Sequence, residues 1–199
     1  DNSSWNTIVS GTHYRLNSIV FTDENNGYIG GYKGMILKTT DAGESWQELN
    51  SGTLYSIYSG YFFTPDQGIF VGDSGLILKT TDAGSSWNKP NSGTQLALLD
   101  VYFPSATIGY ITGKKGLILK TTDAGETWND ISFDPMEEEI YSVDFYNDTL
   151  GYAAGAYGSI LRTKNGGTSW EFFPSGTDLA IRSIDQFSQN DTLCDSLIV

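Results

Sequence analysis

Three carboxylates, Asp100, Asp144 and Asp185, interrupt a series of otherwise small or aromatic positions in a repeated strand. In register, the third position of that strand reads Ser18, Ser59, Asp100, Ser142, Ser183; two residues on stand Val20, Tyr61, Tyr102, Asp144 and Asp185. Carboxylates converging on one cleft can hydrolyse a glycosidic bond, one as acid and the other as base or nucleophile. The plainer reading is of polar groups held by neighbouring Ser, Tyr and backbone. Other reactive candidates are few. His13, the only histidine, has no Ser or Cys in a recognised nucleophile setting. Cys194 is the only cysteine, which rules out an internal disulfide and a Cys-based zinc site. The acidic stretch Asp134-Pro-Met-Glu-Glu-Glu139 is read as a solvated loop, with a cationic partner or a loosely held divalent ion as the alternative. No metal or cofactor is expected.

The elements that must position these groups come from a repeat. All five tryptophans, Trp5, Trp46, Trp87, Trp128 and Trp170, fall at spacings of 41, 41, 41 and 42. Five residues after four of them comes Ser-Gly-Thr, beginning at Ser10, Ser51, Ser92 and Ser175; after Trp128 the step is replaced by Phe133-Asp134-Pro135. Within one unit, Leu16–Phe21, Tyr28–Tyr32, Met35–Thr39 and Trp46–Leu49 are short apolar runs separated by turn residues, as strands require. No window sustains a helical period. A period near 40 with four strands per unit predicts an all-β fold, a β-propeller of four-stranded antiparallel blades. The repeats are 13–53, 54–94, 95–136 and 137–177 within a single domain, 1–199. The terminal segments 1–12 and 178–199 are expected to share a closing fifth blade, with strands over 3–10, Leu179–Phe187 and Thr192–Val199. A fragment of a ring of about seven blades is the alternative.

Between the third and fourth strands stands Thr-x-Asp-x-Gly-x-x-Trp. Its copies carry Asp41, Gly43 and Trp46; Asp82, Gly84 and Trp87; Asp123, Gly125 and Trp128; and Asn165, Gly167 and Trp170. An Asp in such a turn folds its carboxylate back onto backbone N–H groups ahead of it, and the Gly can take a positive φ. The ring of the Trp then packs between adjacent sheets. Asn165 can accept the same hydrogen bonds but would disable an acid catalyst, so the motif is read as a turn used once per blade.

This motif resembles the Asp box (BNR-like repeat) of sialidase-type and sortilin-type propellers. The longer pattern Gly-Tyr-x-x-Gly-x-x-Gly-x-Ile-Leu-[Lys/Arg]-Thr, at Gly109–Thr121 and Gly151–Thr163, is most similar to the photosystem II assembly/stability-factor family, which also occurs as repeats in secreted bacterial proteins. The resemblance covers nearly the whole chain and implies the fold; the shared residues are structural ones. Sialidase chemistry would require three Arg around a carboxylate. Arg15, Arg162 and Arg182 are the only arginines, and Arg162 takes the strand slot of Lys38, Lys79 and Lys120. The photosynthetic relatives are thought to bind a partner protein through a basic patch, whereas here Lys114-Lys115 is the only local basic pair.

The composition limits the partners. Formal net charge is −13, from 24 acids against 11 Lys and Arg, which disfavours nucleic acid. No apolar run reaches the length of a membrane span. The 23 Gly and the 12 Tyr, 10 Phe and 5 Trp suit short strands and tight turns. Asp1 follows no Met, which points to a processed form or a fragment. The expectation is a monomeric, non-catalytic scaffold, secreted or periplasmic in a bacterium, presenting loops to a protein or glycan partner. A glycoside hydrolase using Asp100, Asp144 and Asp185 is the alternative.

Overall fold

The computed structural model describes residues 7–133 and 136–185. The first blade is built from β1 (Leu16–Phe21), β2 (Gly27–Gly31), β3 (Ile36–Thr39) and β4 (Gln47–Leu49), paired antiparallel in chain order. The second holds β5 (Ile57–Phe62), β6 (Gly68–Gly72) and β7 (Ile77–Thr80). The third holds β8 (Leu98–Tyr102), β9 (Gly109–Gly113), β10 (Ile118–Thr121) and β11 (Asn129–Asp130). The fourth holds β12 (Ile140–Phe145), β13 (Gly151–Gly155), β14 (Ser159–Thr163) and β15 (Glu171–Pro174). Among the described residues there is no α-helix; Tyr32–Gly34, Asp73–Gly75 and Ala156–Gly158 are three-residue turns whose middle residues, Lys33, Ser74 and Tyr157, are left-handed.

The second blade departs from the expected four strands. Its outer run forms only the isolated bridge Lys79↔Asn88. Pro90 stands two residues on, where Leu49 of the first blade pairs with Ile36. Proline has no N–H to give the ladder, so the strand stops. The strand expected from Leu179 is also absent over residues 179–185. That segment still follows the fourth blade, since Ile181 N–H donates to Gly155 O (2.9 Å) and Ile184 N–H to Ser142 Oγ (3.3 Å). Residues 7–10 form no strand either, and Trp5, Cys194, Asp134-Pro135 and the run Thr192–Val199 lie outside the described residues.

The innermost strands β1, β5, β8 and β12 lie side by side, and the core fills the gaps between blades. Phe62 of the second blade stacks on Tyr28 of the first (centroids 4.1 Å, 10°), and Phe145 of the fourth stacks on Tyr110 of the third (3.9 Å, 12°). Each such pair contributes about 0.5–1.5 kcal/mol beyond the area it buries. The glycine pair of β2 allows this approach: a Cβ on Gly30 would collide with Ile57 of the next blade. Every blade therefore has two ends. The β2–β3 type turns and the Ser-Gly-Thr steps meet at one, where Gly75 N–H donates to Leu96 O. The Asp boxes and the β1–β2 type turns meet at the other, where Ala42 N–H donates to Asn25 O. These are called the step side and the box side below.

Candidate functional site

On the box side, Thr39 Oγ1 donates to Asp41 Oδ1 (2.7 Å) and accepts from Gly43 N–H (3.0 Å). Asp41 also accepts from Ser45 N–H (2.9 Å) and from the Ser45 hydroxyl. Asp82 and Asp123 repeat the pattern with Ser86 and Thr127. In the fourth copy Asn165 Oδ1 accepts from Ser169 N–H (2.9 Å), while its Nδ2 donates to Ser169 Oγ (2.9 Å). The hydroxyl and backbone donors hold the Asp41 and Asp123 carboxyls down at about 2, and they lower Asp82 in the same way. Gly125 has a φ of +84°, and a Cβ there would meet Ile69 of the preceding blade at 2.6 Å, so the box needs glycine twice over. Trp128 and Trp170 are buried, each against the blade before it.

Two features of the box were not visible in the motif. Ala42, Ala83 and Ala124 sit at φ near +59°, so the left-handed turn begins one residue before the glycine. The lysines of the third strand clamp the next blade's box: Lys38 Nζ donates to Ala83 O (3.1 Å), Lys79 Nζ to Ala124 O (2.8 Å) and Lys120 Nζ to Gly166 O (2.6 Å). Arg162, in the same slot of the fourth blade, pairs instead with Glu171 of its own outer strand (2.7 Å).

The inner-strand carboxylates divide into two kinds. Asp100 sits at a bulge that recurs in the same place in β1, β5, β8 and β12. Its Oδ1 accepts from Ser59 Oγ (2.7 Å) and Val101 N–H (3.0 Å), and its Oδ2 from Val143 N–H (3.0 Å). One side chain thus staples three consecutive inner strands. Burial raises its pKa, against the pull of the Val143, Ser59 and Val101 hydrogen bonds. Asp144 is buried and accepts from Phe145 N–H (2.7 Å). It lies against the phenols of Tyr102 and Tyr61; burial first, and then this carboxylate, push both phenols up. Asp185 is exposed and close enough to Tyr102 to add to that shift. The structure therefore brings Asp144 and Asp185 near Tyr102, while Asp100 is committed to Ser59 and to the backbone of its neighbours.

His13 and Arg15 lie exposed on the step side, and Arg182 stacks over Tyr141 (4.5 Å to the centroid). This side also gathers features the repeat pattern did not single out. Tyr14, Tyr32, Leu54, Tyr55, Tyr157 and Leu179 are large exposed side chains there. On the step side of the second blade a shallow depression of about 280 Å³ is bordered by Tyr55, Ser74, Lys89 and Gln95. Tyr14, Leu54, Tyr55, Ser74, Gln95 and Tyr157 lie between the expected strands, whereas Tyr32, Lys89 and Leu179 fall within runs read as strands.

A family model described as "Photosynthesis system II assembly factor YCF48" matches residues 1–97 and 90–182. No curated protein matches the chain by sequence. Among solved structures, "YCF48 bound to D1 peptide" is similar at a TM-score of 0.58 and 16% identity, over 94% of this chain and 92% of that one. An ancestral GH74 enzyme (TM-score 0.68, 17% identity) and the GH74 enzyme of Niastella koreensis (0.66, 17%) are similar over 83% and 81% of this chain. The chain spans only 26% and 29% of those two enzymes. At these identities the likeness is one of fold, and the fold is a BNR-like propeller.

Proposed function

The chain belongs to the family of photosynthesis system II assembly factor YCF48, and from that premise we propose that it is a non-catalytic scaffold holding a segment of a partner protein. The observation that carries this reading is where the repeated polar groups are used. The box carboxylates bind their own turns, the strand lysines bind the next box, and Asp100 binds its neighbours' backbone. A polar group engaged in this way is not free to bind or activate a substrate. What varies from blade to blade and reaches solvent is left for recognition. A relative solved with a D1 peptide supports a protein segment as the ligand class. The nature of the partner is this chain's own question, because an acidic chain with only three arginines departs from the basic patch that the resemblance implies.

A second reading is favoured by one observation, the gathering of Asp144 and Asp185 about Tyr102. It makes the face of the inner strands a glycosidase site on a fold that GH74 enzymes share. It needs an acid and a base both within reach of one sugar, and Asp144 is buried. Crosslinking with mass spectrometry on the tagged chain in its native cells, beside a reducing-sugar assay on polysaccharides, separates the two. The scaffold reading expects crosslinks to a defined segment of another protein and no sugar release. Sugar release that disappears in Asp144→Asn would replace it with the enzyme reading.

A further inference from the structure

We propose that Asn165 is a modification site, where the chain converts its own asparagine to aspartate and gives the fourth box the residue the other three carry. The fold gates the conversion: the closed box holds the amide, and opening of the fourth blade releases it. The sequence contains two Asn-Gly pairs, Asn26-Gly27 and Asn165-Gly166. An asparagine before glycine is open to attack by the following backbone nitrogen, because glycine has no side chain to obstruct the ring that forms. At Asn165 the Gly166 nitrogen would give up its proton and bond to Asn165 Cγ, while the side-chain nitrogen leaves as ammonia and a succinimide results. Water then opens the ring. Cleavage of the bond between Cγ and the Gly166 nitrogen gives aspartate. Cleavage at the backbone carbonyl gives isoaspartate, with the main chain rerouted through the side chain.

The closed box keeps the reacting atoms occupied elsewhere. Asn165 Oδ1 accepts from Ser169 N–H (2.9 Å) and from the Thr163 hydroxyl (3.0 Å), and Nδ2 donates to Ser169 Oγ (2.9 Å). The amide is thus turned toward a residue four positions ahead. The attacking nitrogen is engaged as well, since Gly166 N–H donates to Thr149 O (2.9 Å). Ala42, Ala83 and Ala124 make the same bond to Asn25, Asp66 and Thr107 in the other blades. The Gly166 carbonyl accepts from the Tyr110 hydroxyl (2.9 Å) and from Lys120 Nζ (2.6 Å), which fix this peptide against the third blade. Succinimide formation requires the Gly166 N–H to leave Thr149 and the Asn165 side chain to leave Ser169. The reaction therefore proceeds from a locally opened box.

The two Asn-Gly pairs differ in what their products meet. At residue 165 a carboxylate has a place prepared for it. Asp41, Asp82 and Asp123 each accept the N–H and the hydroxyl of the residue four positions on, and Ser169 offers the same pair of donors. The Ser169 hydroxyl has only to turn from acceptor to donor. Lys164 stands next in the chain, a cation for the new charge. At residue 26 the setting is the reverse. Asn26 Nδ2 donates to both carboxylate oxygens of Asp23 (3.0 and 2.9 Å), so conversion would set one carboxylate against another in the same turn. Isoaspartate at 165 fits neither way, because the added backbone atom displaces Gly167 N–H from Thr163 Oγ1.

The test incubates the intact chain in mildly alkaline buffer, with and without urea, and follows residue 165 by peptide mapping with mass spectrometry. Conversion in the folded chain is expected to be slower than in urea by roughly tenfold or more. Ser169→Ala, which removes the acceptor of Nδ2, is expected to convert faster than wild type without urea. Ser169→Thr, which keeps a hydroxyl as Thr127 does in the third box, is expected to stay protected. Urea denaturation at neutral pH is expected to place Asn165→Asp at or above the wild-type midpoint and Asn26→Asp below it. Equal rates with and without urea, or no conversion at 165 in urea, would overturn the proposal. So would a folded Ser169→Ala that converts no faster than wild type, or an Asn165→Asp chain that unfolds before it.

Discussion

At the box end of a blade, side-chain oxygens find partners within the chain, whereas at the step end the large side chains point to solvent. Asp123 accepts from Thr121, Thr127 and a backbone N–H, and the carbonyl beside it takes the Lys79 ammonium of the preceding blade. Tyr157, at the opposite end of the next blade, is 71% exposed on a left-handed turn. One end is therefore constrained by its neighbours and repeats almost unchanged. The other is free to differ from blade to blade. The lesson is that in this propeller the most repeated residues report on folding, and recognition has to be sought where the repeat loosens.

The sharpest way to break the comparison is at the box end. Trp128→Ala empties a site packed against Phe103 and the second blade and should cost about 3–5 kcal/mol, read from urea denaturation. Next comes the inner-strand staple. Asp100→Asn puts an amide donor where two backbone N–H groups and a hydroxyl converge, leaving a buried donor without an acceptor, at about 1–3 kcal/mol. Lys79→Met should cost about 1–2 kcal/mol by removing the clamp on the third box, with the exposed Glu126 contact adding little.

Acid should reveal the same end of the molecule. The Asp41 and Asp123 carboxyls lie at about 2, below their ordinary value of 3.8. Their contribution is therefore full above 3.8 and is lost as pH falls through about 2. A urea midpoint followed downward from neutral pH should fall through the box window, and Asp41→Asn with Asp123→Asn should flatten that fall. The smallest expected effect lies at the step end: Lys33→Glu with Lys115→Glu should change stability by less than about 0.5 kcal/mol.

Much of the box end was legible in the sequence because its logic is local. Thr39, Asp41, Gly43 and Ser45 interact within five residues, so their spacing alone implies the turn. The Lys79 clamp was not legible, since its acceptor lies 45 residues away and nothing in the lysine's own surroundings points there. The Asp100 contacts were hidden for the same reason, being made with residues 41 and 43 positions distant at a bulge that alternation cannot register. The missing outer strand of the second blade was available in Pro90 and was obscured by the strength of the repeat. The step-side surface shows no motif because its tyrosines and lysines occupy different turns and share only a face.

The most direct test of this division of labour is a urea denaturation series on two paired variants, Asp82→Ala with Asp123→Ala and Lys33→Glu with Lys115→Glu. The account predicts that the box-side pair lowers the midpoint clearly while the step-side pair unfolds with the wild type. A box-side pair as stable as wild type, or a step-side pair that unfolds first, would contradict it.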